Sequence, residues 1–175
     1  MTINNERLRD VMVSDVLIVI DLQNGVNSED FPLARLDEVL SGVNERIAVY
    51  RDAGKPVIFV QHVDAELVID SEDWRVMPEL DARADDLYVN KTHANSFYKT
   101  ELPVILAELN VEKIEFCGAQ TEYCVDSTVR FAHGLGFDCS MKHGLHTTAN
   151  SDILTAEQIM AHHEAIWDHR FLTFL

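Results

Sequence analysis

Positive charge is scarce in this 175-residue sequence. Fourteen lysines and arginines face 30 aspartates and glutamates, a formal net charge of −16 with the eight histidines neutral. So acidic a chain repels phosphate backbones and anionic membrane surfaces, so neither nucleic acid nor a membrane is expected as a partner. The sequence lacks an apolar run long enough to span a bilayer, and it shows no charged-then-apolar leader. Its three cysteines, Cys117, Cys124 and Cys139, are an odd set without paired spacing. That argues against a disulfide framework and for reduced thiols in a cytoplasmic compartment. There is no HExxH and no CxxC among the scattered histidines and cysteines, which removes the usual metal-site signatures. Apolar material is plentiful at 47%, enough for a full core. One domain over residues 1–175 is expected, with the polar residues 1–14 as an N-terminal arm.

Apolar runs and helical stripes alternate along the chain. Val16-Leu17-Ile18-Val19-Ile20 is a continuous apolar run closed by Asp21, the pattern of a strand buried on both faces of a parallel sheet. Residues 36–53 place Val39, Val43, Ile47 and Tyr50 on one stripe, with Gly54 as a stop. Residues 57–62 read as a second buried strand, and 63–86 as a long acidic loop containing Trp74 and Pro78. Residues 87–91 form a shorter strand ending in Lys91. Thr100 can cap a helix running to Asn110, with Pro103 tolerated in its first turn. After a strand at 114–117 and a helix around Cys124 come a strand at 137–141, a helix at 155–167 and a closing strand at 171–175. This alternation predicts a three-layer, Rossmann-like α/β fold: a mainly parallel sheet of about six strands with helices on both faces.

The chain is organised around Ile114-Glu115-Phe116-Cys117-Gly118-Ala119-Gln120-Thr121-Glu122-Tyr123-Cys124-Val125-Asp126. It reads as a short strand, a Gly-led turn and a cysteine at the opening of a helix, with Thr121 placed to cap that helix and Glu122 in its first turn. Val125, Val129 and Ala132 follow at helical spacing. A thiol at a helix N-terminus faces backbone N–H groups that favour an anion, which predicts a lowered thiol pKa and a nucleophile. The alternative is a buried cysteine acting as a small hydrophobe. In parallel α/β sheets ligands bind at the carboxyl ends of the strands. Asp21, Lys91 and Cys124 all fall at such ends. Alone, Asp21 reads as a cap or surface acid and Lys91 as a solvated lysine; together they form a candidate reaction centre.

Three blocks carry a resemblance: Val19-Ile20-Asp21-Leu22-Gln23-Asn24, Lys91-Thr92-His93-Ala94-Asn95-Ser96-Phe97, and Gly118-Ala119-Gln120-Thr121-Glu122-Tyr123-Cys124-Val125-Asp126. In order and spacing the chain resembles the isochorismatase-like cysteine hydrolases, most closely the amidohydrolase branch that includes streptothricin hydrolase-like proteins. The resemblance runs from about Val16 to Trp167. It implies Cys124 as nucleophile, Asp21 as general base and Lys91 between them, holding the acid ionised and steadying the thiolate. It also implies a cis peptide before Gln120, with the backbone N–H groups of Gln120 and Cys124 as an oxyanion hole. The reaction implied is hydrolysis of an amide, lactam or ureido C–N bond of a small molecule through a thioester, by a homo-oligomer, dimer or tetramer.

Nicotinamidase-like members hold a metal with an Asp-x-His pair after the second strand. Here that region reads Gln61-His62-Val63-Asp64, so His62 is read as a strand-end residue, Asp64 as loop, and no metal or other cofactor is expected. A zinc-assisted deamidase and a non-catalytic binding or assembly protein are the alternatives. Phe97, Trp74 and Tyr123 are assigned to substrate binding, since aromatic walls suit small planar amides. Core or lid packing is the alternative for Phe97 and Trp74, and packing with a bonded hydroxyl for Tyr123. One departure stands out. Gly144 and Leu145 occupy the place where the family has an Asp that braces loops near the site, before His146-Thr147-Thr148.

Overall fold

All five residues of β1 (Val16–Ile20) are buried, and their alternation sorts the core into two halves. In the computed structural model, which describes residues 13–175, Val16, Ile18 and Ile20 face one apolar cluster, and Leu17 and Val19 face another. This is the period of two that a pleated strand imposes. Most of the expected N-terminal arm lies outside the described residues. Ser14, at its end, donates its backbone N–H to the Tyr50 hydroxyl at 2.9 Å.

β1 is joined by β2 (Val57–His62), β3 (Leu87–Lys91), β4 (Lys113–Ala119), β5 (Asp138–Met141), β6 (His146–Thr147) and β7 (Thr173–Phe174). The sheet order is β3-β2-β1-β4-β5-β7, with β6 beside β4, and every strand pairing is parallel. On one face lies α1 (Leu36–Asp52), whose Val39, Val43, Ile47 and Tyr50 meet Leu17, Val19 and Phe59. On the other lie α2 (Leu102–Glu108), α3 (Asp126–Gly134) and α4 (Ala156–Trp167). The sheet has seven strands rather than about six, because the two-residue β6 carries too little pattern to be seen in sequence. β7 is shorter than expected, pairing only through Thr173 and Phe174.

Local chemistry sets the helix ends. Thr155 caps α4 in a reciprocal box: its hydroxyl accepts from the Gln158 N–H, and the Gln158 side chain accepts from the Thr155 N–H. α2 begins one residue later than expected, with Glu101 rather than Thr100 at its cap position. Thr100 donates its hydroxyl to the Ser96 carbonyl at 2.6 Å while accepting from Leu102 N–H at 3.3 Å, so it ties the preceding loop down as well as meeting the helix start. Trp167 of α4 donates its indole N–H to Asp126 of α3 at 2.7 Å, and Asp126 also holds Arg130 one turn on.

One buried ion pair locks α1 to the sheet. Arg46 meets Glu115 of β4 at 2.6 Å and 2.7 Å, and Tyr50 donates its hydroxyl to the same carboxylate at 2.8 Å. All three side chains are essentially solvent-free. The register of β1 on β4 has a different requirement. Gly118 stands opposite Ile20 with a φ of 128°, and a Cβ there would lie 2.1 Å from the Ile20 carbonyl oxygen. Only glycine fits. Gly118→Ala is expected to lower unfolding free energy by about 3 kcal/mol, since backbone cannot yield as a side chain can. Urea denaturation checks this; a loss below about 1 kcal/mol would show that the strands separate freely at this point.

Candidate active site

Four adjacent strands deliver the site. The order β3-β2-β1-β4 places Lys91 at the end of β3, His62 at the end of β2, Asp21 just past β1, and Gln120 just past β4. His62 and Lys91 are register partners. The Ala119–Gln120 peptide is cis. Beyond it the chain makes one π-helical turn (Thr121–Val125) that carries Cys124 and leads into α3.

The Lys91 side chain is fully buried, and its Nζ is the meeting point. It lies 2.6 Å from Asp21 Oδ2, 3.0 Å from His62 Nδ1 and 3.2 Å from Cys124 Sγ. An ammonium has three N–H donors, and here three acceptors surround it. Asp21 is 2% exposed and holds a φ of 48°, a left-handed conformation that non-glycine residues adopt rarely and mostly for a reason. Its second oxygen, Oδ1, has no hydrogen-bond partner, and a carboxylate oxygen of Asp21 lies within 4.8 Å of the Cys124 sulfur.

Electrostatics here run against the expectation from the helix start. Burial, followed by the negative charge of Asp21, pushes the Cys124 thiol up to about 12, with Lys91 pulling the other way. Burial likewise raises Asp21 against the pull of Lys91. Taking a charge out of water outweighs the turn's favourable N–H groups. The 2.6 Å contact between Asp21 Oδ2 and Lys91 Nζ is that of a carboxylate–ammonium pair, and the thiol beside it is neutral. Burial, then Lys91, holds the His62 pKa below its ordinary value, so its imidazole stays neutral and accepts from Lys91 through Nδ1. The Nε2 side faces Asp64 at 3.5 Å.

Asp21, His62 and Cys124 also offer donor atoms close enough to share a metal ion. Those three atoms converge on the Lys91 ammonium instead. A divalent ion held among these residues would sit against the fixed positive charge of Lys91, so the donor set does not fit one.

The turn that carries Cys124 is braced from behind. Thr121 does not cap it through its own side chain. Its hydroxyl meets His146 Nδ1 at 2.9 Å, and His146 Nε2 meets Glu164 of α4 at 3.1 Å. Glu164 also receives the Gly144 N–H at 3.4 Å and faces His143 at 3.4 Å. Gly144 holds a φ of 74°, a conformation that suits glycine, so the loop that lacks the bracing Asp is braced by Glu164 from another helix. On the opposite side Thr128 of α3 accepts from the Ser96 N–H at 3.0 Å and pins the loop after Lys91.

In front of the thiol a cavity of about 620 Å³ opens, reached by Asp21, His62, Gln120, Tyr123 and Cys124 among others. Of the three aromatic residues assigned to binding, Tyr123 lines it. Tyr123 is also 58% exposed, which corrects the reading of a packed side chain. Phe97 and Trp74 do not line it. Phe97 is 5% exposed and packs on Phe131 and Phe137 in the core. Trp74 serves through its backbone carbonyl, which accepts from the side chains of Gln23 and Gln61. Sequence reasoning passed over His62, whose signal was the parallel register that sets it against Lys91. It also passed over Thr148, which lines the cavity from the loop after β6.

The thiol's titration tests this geometry. With Asp21→Asn, the Cys124 midpoint should fall, because the neighbouring negative charge is gone. With Lys91→Met it should rise. Site-resolved alkylation against pH reads both, and unchanged midpoints in the two variants would uncouple the three groups.

The model of the isochorismatase domain matches residues 15–159. A crystal structure described as an isochorismatase family protein is 49% identical, covers 91% of this chain and 96% of its own, and superposes with a TM-score of 0.90. A streptothricin hydrolase of Streptomyces noursei is 27% identical over 135 residues, 75% of this chain and 49% of its own length. The ureidoacrylate amidohydrolase RutB of Yersinia enterocolitica is 26% identical over 156 residues, covering 67% of this chain and 68% of its own.

Proposed function

The chain belongs to the isochorismatase-domain family, and from that premise we propose that it is a cysteine amidohydrolase acting on a C–N bond of a small molecule. Its similarity to a ureidoacrylate amidohydrolase and a streptothricin hydrolase supports the bond class. The observation that carries the reading is the Lys91 ammonium, in hydrogen-bond reach of both the Asp21 carboxylate and the Cys124 thiol.

The resting thiol is neutral, so the nucleophile has to be made during the reaction. Asp21 Oδ1 takes the thiol proton as Cys124 Sγ attacks the substrate carbonyl carbon. Before the transfer the three groups are carboxylate, ammonium and thiol; after it they are carboxylic acid, ammonium and thiolate. Net charge is zero in both states, so the buried site never holds an unbalanced ion. The oxyanion is received by the backbone N–H groups of Gln120 and Cys124. Asp21, now an acid, returns the proton to the departing nitrogen as the C–N bond breaks and a thioester remains. Water then attacks the thioester carbonyl, with Asp21 again accepting a proton, and the carboxylic acid product and free thiol are released.

With an amide screened for ammonia or amine release, Cys124→Ala should abolish turnover and Asp21→Asn should lower kcat by at least about a thousandfold. Acid quenching should trap an acyl group on Cys124, seen as a mass increase of the peptide that contains it. Full activity in Cys124→Ala would overturn the proposal.

A further inference from the structure

The cavity wall is one-sided in charge. Besides Asp21 it presents Asp64, Glu66, Glu122 and Asp152, and among the described residues no lysine or arginine lines it. The cation beneath it, Lys91, is buried and surrounded by Asp21, His62 and Cys124. His62 adds no positive charge, being held neutral as described above. Asp64 is firmly ionised, since the backbone N–H groups of Leu67 and Glu66 donate to its carboxylate and hold its pKa down.

A second observation marks the same wall as built for a ligand. Thr148 is fully buried and lines the cavity, yet its hydroxyl has no hydrogen-bond partner. Glu122 likewise has one solvent-free carboxylate oxygen without a partner. Buried polar atoms left unpaired cost about 1–3 kcal/mol each, more when charged. Once either side chain turns toward the cavity, a ligand N–H donated to its unpaired oxygen would remove the cost. A ligand bringing a carboxylate or phosphate would meet four more acids, with no guanidinium or ammonium to receive it.

Resting on the amidohydrolase reading, we infer that the substrate is a cationic amide, one bearing a protonated amine or guanidinium that the acids of the cavity wall receive while its carbonyl meets Cys124. The overall charge of −16 extends the same preference outward as a field that draws cations toward the mouth.

Charged thiol reagents read the field at Cys124 directly. The wild-type protein, in EDTA so that no divalent ion screens the acids, is treated with 2-(trimethylammonio)ethyl methanethiosulfonate and with its 2-sulfonatoethyl counterpart. In each, the thiolate sulfur attacks the sulfenyl sulfur, a disulfide forms and methanesulfinate leaves. Modification of Cys124 is followed by peptide mass, and each rate is divided by that of 2-mercaptoethanol. The cationic reagent should be favoured by about tenfold or more over the anionic one, and Glu122→Gln combined with Asp152→Asn should cut that ratio severalfold. A ratio at or below that of the free thiol overturns the cation inference and leaves the amidohydrolase reading standing. A neutral methyl methanethiosulfonate arm separates the two: its rate at Cys124 should rise in Asp21→Asn, and if it does not, the coupling on which the amidohydrolase reading stands is absent and that reading falls, while the charge ratio still reads the wall.

Discussion

The site depends on one buried ammonium. Removing a lysine head from water costs several kcal/mol unless acceptors replace the water it gives up. Lys91 is supplied with three, each from a different strand end or turn: Asp21, His62 and Cys124. None of the four groups could be placed without the others. Asp21 without Lys91 would be a buried carboxylate lacking a counter-ion, and Lys91 without Asp21 a buried ammonium lacking one. The parallel register enforces the arrangement, because a one-residue slip between β2 and β3 would turn Lys91 or His62 to the other face of the sheet.

The same burial explains how a cysteine can be both unreactive at rest and suited to catalysis. A thiol at a helix start is ordinarily expected to ionise early, yet the Cys124 thiol is pushed up to about 12. Desolvation and the Asp21 charge win over the N–H groups of the turn. In the proposed mechanism, moving a proton from sulfur to Asp21 avoids that penalty, because the carboxylate disappears as the thiolate forms beside the ammonium. A nucleophile proposed to arise in this way would be made only where a substrate carbonyl can accept it.

Much of this was legible in the sequence because strand ends are legible. The apolar runs closed by Asp21 and Lys91, and the Gly-led turn before Cys124, put three reactive groups on one sheet edge before any coordinates were needed. β2 and β3 fall at residues 57–62 and 87–91 as read from the runs. What stayed hidden depends on pairing in three dimensions. Strand register makes His62 a partner of Lys91, and a distant helix supplies Glu164 to a loop whose own sequence suggested a missing brace. The Thr121 hydroxyl looked like a cap but pairs with His146 Nδ1 instead. Phe97 and Trp74 show the limit of reading an aromatic near a motif as a pocket wall. Phe97 closes the block that Lys91 opens, Trp74 lies in the loop between β2 and β3, and neither lines the cavity.

The central claim is that Asp21 and Lys91 are one coupled, buried unit on which the site is built. A double-mutant cycle on unfolding free energy tests it most directly, with Asp21→Asn, Lys91→Met and the two combined, followed by urea denaturation. Each single change should cost about 3 kcal/mol or more, since it strands a buried charge. The double change should cost less than the sum by about 2 kcal/mol, because it strands none. Single changes that are nearly neutral, or costs that simply add, would contradict the account.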